Sequence, residues 1–158
     1  MLLKNGKKIN LSISMDGTDR VFEYCRWPLK WSKFRATLEY YCELSSKYSN
    51  LNLSLWSAFS VLSIGDLPNM IMFSESVGIN FVGSAIVNPS VLQISNTNYL
   101  TVAAKEKLIM SPYDYAHKIA NAVAIHTEDN SKQLNQFIKK ADTFRNINII
   151  DYLGDSIL

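Results

Sequence analysis

"INLSISMDGTDRVFEYCRW", Ile9 to Trp27, begins with a strict alternation in which Ile9, Leu11, Ile13 and Met15 point one way and Asn10, Ser12, Ser14 and Asp16 the other. Period-two patterning is that of a half-buried β-strand, and Gly17 ends it. The polar face therefore brings Ser14 and Asp16 side by side to the strand's C-terminal tip. From there to Trp27 the chain reads as a loop crowded with Asp19, Arg20, Glu23, Tyr24, Cys25 and Arg26.

Working outward, Trp31, Phe34, Leu38, Tyr41 and Cys42 recur at helical spacing, which predicts an amphipathic helix over roughly Pro28 to Tyr48 with proline in its first turn. A second strand is expected from about Leu53 to Leu62, apolar on both faces as a buried parallel strand would be. Asp66 is placed to cap a helix with Pro68 near its start and Gly78 at its end. Ile79 to Val87 reads as a third strand, closed by Asn88-Pro89. Strand, helix, strand, helix, strand with short connections predicts an α/β fold of parallel βαβ units. Beyond a short apolar piece, Val91 to Ile94, and a polar stretch, Ser95 to Asn98, two helices are expected to close the chain. One starts at Ser111-Pro112 and buries Ala116, Ile119, Ala120 and Val123; the other starts near Glu128 and uses Leu134, Phe137, Ile138, Ala141 and Phe144.

The 158 residues suit one globular unit, and 47% hydrophobic with 19% charged residues excludes the disordered class. A formal net charge of +2, with basic residues in small scattered groups, gives no strong pull towards nucleic acid or an anionic membrane. No apolar run approaches the roughly 20 residues of a membrane span. MLLKNGKKIN lacks the apolar core of a secretory signal, so a cytoplasmic location with Cys25 and Cys42 as free thiols is expected.

In open α/β sheets and barrels, ligands gather at the C-terminal ends of the strands. Three such ends, at Ser14 to Gly17, Leu62 to Gly65 and Val87 to Pro89, are expected to form one mouth. Arg26 can grip a carboxylate or phosphate with two parallel hydrogen bonds. Alternatively, Ser14 and Asp16 cap the turn and Arg26 pairs with Glu23. His117 and His126 lack metal-ligand spacing, and Asp16, Asp19 and Glu23 are expected as solvated loop charge, so no metal site is expected.

The segment "ISMDGTDRVFEYCRWPLKWSKF" resembles the fourth strand and following loop of radical S-adenosylmethionine (radical SAM) enzymes, above all the subgroup with a SPASM or twitch extension. The shared pattern is an apolar strand, Ser-x-Asp-Gly, Tyr-x-Arg and a Trp opening a helix, supplied here by Ser14, Asp16, Gly17, Tyr24, Arg26 and Trp31. "VLSIGDLPNM" resembles the family's fifth strand and next helix, "IVNPSVLQI" the segment after its sixth strand, and "ADTFRNINIIDYL" a late Asp-x-x-Arg segment through Asp142 and Arg145. The resemblance implies an incomplete (β/α) barrel with parallel strands followed by C-terminal helices. It places the back half of the barrel in residues 1–94 and a helical extension packed on it in residues 95–158. It also implies S-adenosylmethionine as cofactor, held by Ser14, Arg26 and Ser63, with Asp16 lining the mouth. Where this chain has Ser63 the family often has Asn.

The family's reaction also needs a 4Fe-4S cluster on a Cys-x3-Cys-x2-Cys loop, and two widely spaced cysteines cannot supply it. If the first strand here corresponds to the fourth, about 90 residues of βα units lie elsewhere, at roughly 30 per unit. Three readings follow. The chain is a portion of a radical SAM enzyme, inactive alone and completed by an N-terminal half-barrel chain; or a non-catalytic half-barrel module that pairs with itself or another chain; or an unrelated α/β domain with a small-ligand site at the same mouth. No catalytic residue is identified in any of them.

Overall fold

The computed structural model describes residues 6–94, 105–122 and 130–154. Three strands, β1 (Ile9–Ser14), β2 (Leu51–Phe59) and β3 (Asn80–Ala85), form an open, wholly parallel sheet in the order β1-β2-β3. Ser14 lies opposite Trp56, and Trp56 opposite Val82. Helices α1 (Asp19–Cys25) and α2 (Trp31–Lys47) join β1 to β2, and α3 (Leu67–Ser76) joins β2 to β3. After β3 come α4 (residues 105–109), α5 (Asp114–Ala122), α6 (Ser131–Arg145) and α7 (Ile150–Leu153). The fold is α/β, as the sequence predicts.

The helices cover one face of the sheet. Met15, Leu55 and Phe59 from the strands pack with Phe22, Trp31, Leu38, Leu67 and Met70, and the same core takes in Leu108, Ala116 and Ala120 from α4 and α5. Phe22, Trp31 and Phe34 stack at centroid distances of 4.6–5.3 Å, and Trp31 meets Phe73 at 5.0 Å. These rings seat α1 and α2 on the sheet. A second cluster gathers Tyr24, Val61, Leu134, Ile138 and Ile149, and through it α6 and α7 dock at the strand tips.

The opposite face of the sheet is exposed at Asn10, Ser12, Ser14, Asn52, Trp56 and Val82. Asn52 donates to the Asn10 side chain across that face at 3.0 Å. β2 was expected to be buried on both faces. Instead it alternates, because every helix that follows a strand returns to the same side.

Other elements shift from expectation. The segment after Gly17 is helical, not a loop, and α2 begins at Trp31, three residues past Pro28. Glu23 explains the late start: its Oε1 accepts the Trp31 backbone N–H at 3.1 Å and its Oε2 pairs with Lys30 at 2.9 Å, so α1 supplies the acceptor for the first turn of α2. β2 starts and stops earlier than predicted, at Leu51 and Phe59, and a 3-10 turn (Ile64–Asp66) leads into α3. Asp66 precedes α3 without a side-chain cap. Its carboxylate instead accepts the Thr18 backbone N–H at 2.6 Å and the Thr18 hydroxyl at 2.9 Å, tying the turn after β1 to the start of α3. The predicted Glu128 start of the last helix, Val123, the stretch 95–98 and His126 lie outside the described residues. Phe144, expected in the buried stripe of the last helix, is 83% exposed.

Candidate functional site

The C-terminal strand tips do converge. Gly17, at φ +126°, turns the chain so tightly that an added Cβ would sit 2.9 Å from the Phe22 backbone nitrogen. That turn sends α1 back across the tip of β1 and sets Arg26 against Asp16, Nη2 to Oδ2 at 2.7 Å. The other oxygen of Asp16 accepts the Ala58 N–H at 3.0 Å and the Ser57 hydroxyl at 3.2 Å. Asp16 thus welds β1 to the end of β2 and orients the guanidinium. Glu23, the alternative partner for Arg26, is taken by Lys30. Arg26 Nε is buried without a hydrogen-bond partner.

Of the four predicted binding residues, Asp16 and Arg26 are brought into contact. Ser14 stands on the exposed sheet face, on the same side of β1 as Asp16. Ser63 is fully buried and its hydroxyl faces inward, accepting the Ser60 N–H at 3.1 Å and lying 3.3 Å from the Ser60 hydroxyl. Ser60, three residues earlier, lines the mouth instead.

A cavity of about 160 Å³ lies at the strand tips between Asp16, Ala58, Ser60, Ile86 and the α6 residues Phe137, Ala141 and Arg145, with Tyr24 and Cys25 on its wall. Helix α6 therefore roofs the mouth. Its anchor is polar: the Tyr24 hydroxyl donates to Asp142 Oδ1 at 2.8 Å, Asp142 Oδ2 accepts the Ile149 N–H at 2.8 Å, and Arg145 Nη1 donates to the Tyr24 carbonyl at 2.9 Å. The Arg145 guanidinium also lies 5.5 Å from the Tyr24 ring centroid and 5.8 Å from that of Trp27, within cation–π range. Asp142 and Arg145, both from α6, thus hold Tyr24 near the end of α1. Arg20 extends the joint by donating to the Asp151 carbonyl at 2.8 Å.

The chemistry of the wall is that of protonated acids. Burial, then the Asp142 hydrogen bond, raise the Tyr24 hydroxyl far above its ordinary value, and burial followed by the Asp16 charge pushes the Cys25 thiol up to about 12. A thiol so placed is a poor nucleophile and a poor metal ligand at neutral pH. Asp66 is also shifted upward by burial, against the lowering effect of its hydrogen bonds from Asn69 and Thr18. Both cysteines are free, and among the described residues no three His, Cys, Asp or Glu side chains gather where a metal ion would sit. His117 Nε2 lies 2.7 Å from the Ser111 carbonyl oxygen and joins no such group.

Because Tyr24 and Cys25 stay neutral in the fold and ionise near 10.0 and 9.0 when free, their contribution to stability is complete below about pH 9. It is lost as pH rises towards 12, where the unfolded chain sheds those protons first. Urea midpoints at about pH 8 and about pH 10.5 should therefore fall more steeply for the natural chain than for Tyr24→Phe. Parallel pH profiles for the two proteins would remove Tyr24 from this account.

No helix of the described residues is long and apolar enough to cross a membrane. Comparison with protein-family models, with curated proteins and with solved structures finds no significant match to this chain.

Proposed function

We propose that the chain is the S-adenosylmethionine-holding portion of a radical SAM-type partial barrel, with its three strands standing for the fourth to sixth. One observation carries the reading: Arg26 sits at the tip of the Ser14-bearing strand with its Nη2 fixed on Asp16 and a third of its side chain open to solvent. The open part of a guanidinium so oriented is available to a carboxylate, and an amino-acid-bearing ligand brings one. The roofed cavity of about 160 Å³ is too small for such a ligand, since sites for molecules of that size run to about 300 Å³ and above. The ligand therefore lies along the exposed Ser14 face, the side that becomes the interior when a barrel closes.

A 4Fe-4S cluster does not fit this chain's donors: two thiols are present, and Cys25 is held protonated. In this proposal the cluster and its electron come from an N-terminal half-barrel chain, and this portion contributes ligand binding and the substrate wall. Calorimetric titration of S-adenosylmethionine into the chain should give saturable binding, weakened about tenfold by Arg26→Ala, the loss of roughly one charge-assisted hydrogen bond. Absence of saturation at about 1 mM, or equal affinity in Arg26→Ala with its circular dichroism unchanged, rejects the reading.

The second reading, a non-catalytic half-barrel module, is favoured by the exposed sheet face. Parallel sheets are normally covered on both sides, and this one presents Trp56 and Val82, 38% and 42% exposed, directly opposite each other. In that case the face is closed by another chain or a second copy, and S-adenosylmethionine produces no heat.

A further inference from the structure

We propose that the outer face of α6, together with the turn before α2, docks on an anionic phospholipid surface. Lys132, Lys139 and Lys140 all project from the exposed side of α6. Neither Lys139 nor Lys140 has a carboxylate within 4.0 Å among the described residues, because the helix's one acid, Asp142, is turned inward to Tyr24 and Ile149. Among the described residues, the outer face of this helix therefore carries charge of a single sign. A shallow groove of about 440 Å³ runs between Gln136, Lys139, Lys140, Thr143 and Phe144, walled largely by lysine stems and the phenyl ring.

At the end of this cationic strip three large apolar side chains stand out of the surface. Phe144 is 83% exposed, Leu29 54% and Trp27 39%. Phe144 meets the Trp27 ring edge-on at 6.3 Å, and Leu29 follows in the turn closed by its N–H on the Arg26 carbonyl at 3.0 Å. Leaving Phe144 and Leu29 in water adds nothing to the core, since the apolar side of α6 already packs through Leu134 and Ile138, and Trp27 stays 39% exposed even with Arg145 beside its ring. Lysines beside protruding Trp, Phe and Leu are the chemistry of the membrane interface: ammonium groups reach lipid phosphates while the apolar tips enter the headgroup boundary. A sugar–phosphate chain would satisfy the lysines and the rings but leave Leu29 uncovered, which favours the bilayer. The net charge of +2 conceals this polarity because it averages over the whole surface.

The test is co-sedimentation of the full chain with vesicles of about seven parts phosphatidylcholine to three parts phosphatidylserine at low salt, with the part of the tryptophan emission that Trp27→Phe removes as a local readout. Expected are partitioning absent from pure phosphatidylcholine, suppression by about 0.5 M salt, and a blue shift that Trp27→Phe abolishes. Lys139→Gln with Lys140→Gln should weaken binding about thirtyfold, and Phe144→Ala about tenfold, with circular dichroism unchanged because all three side chains are exposed. Equal binding to neutral vesicles, no binding at low salt, or insensitivity to the lysine pair overturns the proposal. So does an oligodeoxythymidylate that occupies the same lysines more tightly than vesicles, an outcome that would assign the face to single-stranded nucleic acid.

Discussion

Gly83→Val should lose about 3 kcal/mol of stability or more, enough to leave a domain of this size partly unfolded. The strand position of Gly83 points its missing side chain straight at the core. A Cβ there would collide with the ring of Phe59, against Cζ and 2.8 Å from Cε1, and Phe59 is fully buried in the core with Leu55, Ile64 and Met70. The ring has nowhere to retreat, so β3 must separate from β2. Urea denaturation reads this directly as a fall in the midpoint. A Gly83→Ala variant with an unchanged midpoint would show that Phe59 can give way, and that the glycine is not needed for β3 to pair.

Asp142→Ala removes a carboxylate that accepts from the Tyr24 hydroxyl and the Ile149 N–H together. Hydrogen bonds to a charged acceptor contribute about 1.5–3 kcal/mol each, and the buried tyrosine hydroxyl is left without its partner, so a loss of about 3 kcal/mol is expected. The damage should be local. Hydrogen exchange should quicken in α6 and α7 while β1 and β2 keep their protection, because the core around Met15, Leu55 and Phe59 does not involve Asp142. A double-mutant cycle with Tyr24→Phe should show coupling of about 1 kcal/mol or more. Additive effects, or uniform loss of protection through the sheet, would mean that Asp142 does not act through Tyr24.

The three strands and α3 were legible because their signals are local: alternation from Ile9 to Asp16, a proline near a helix start, and a glycine at its end. α1 was not. Its buried residues, Phe22 and Tyr24, are two apart, a spacing that carries no helical period, and the helix exists because Gly17 and the Asp66–Thr18 bonds fold the chain back on the core. The convergence of the strand tips is legible in the sequence, with Asp16 and Arg26 close to it; that these two pair with each other is not. Ser60 lines the cavity where the sequence points to Ser63, because the strand ends at Phe59 and the turn closed by the Ser63 N–H on the Ser60 carbonyl breaks the two-residue count that holds along a strand. Nothing local could reveal that Arg145 roofs the same cavity or that Trp56 faces outward. Both depend on which side of the sheet the distant helices choose.

The Tyr24 hydroxyl finds its acceptor 118 residues later in the chain. At a synthesis rate of about 5–20 residues per second, that delay is roughly 6–24 s. The sheet is complete only at Ala85, so for roughly the last 3–11 s of that delay the emerging polypeptide carries a strand-tip cavity with no roof, with Tyr24 and Val61 facing water. Growth on the ribosome thus imposes on every new molecule an open-mouthed form that the finished protein closes, and that interval is when a chaperone or a ligand has its widest access to the strand tips.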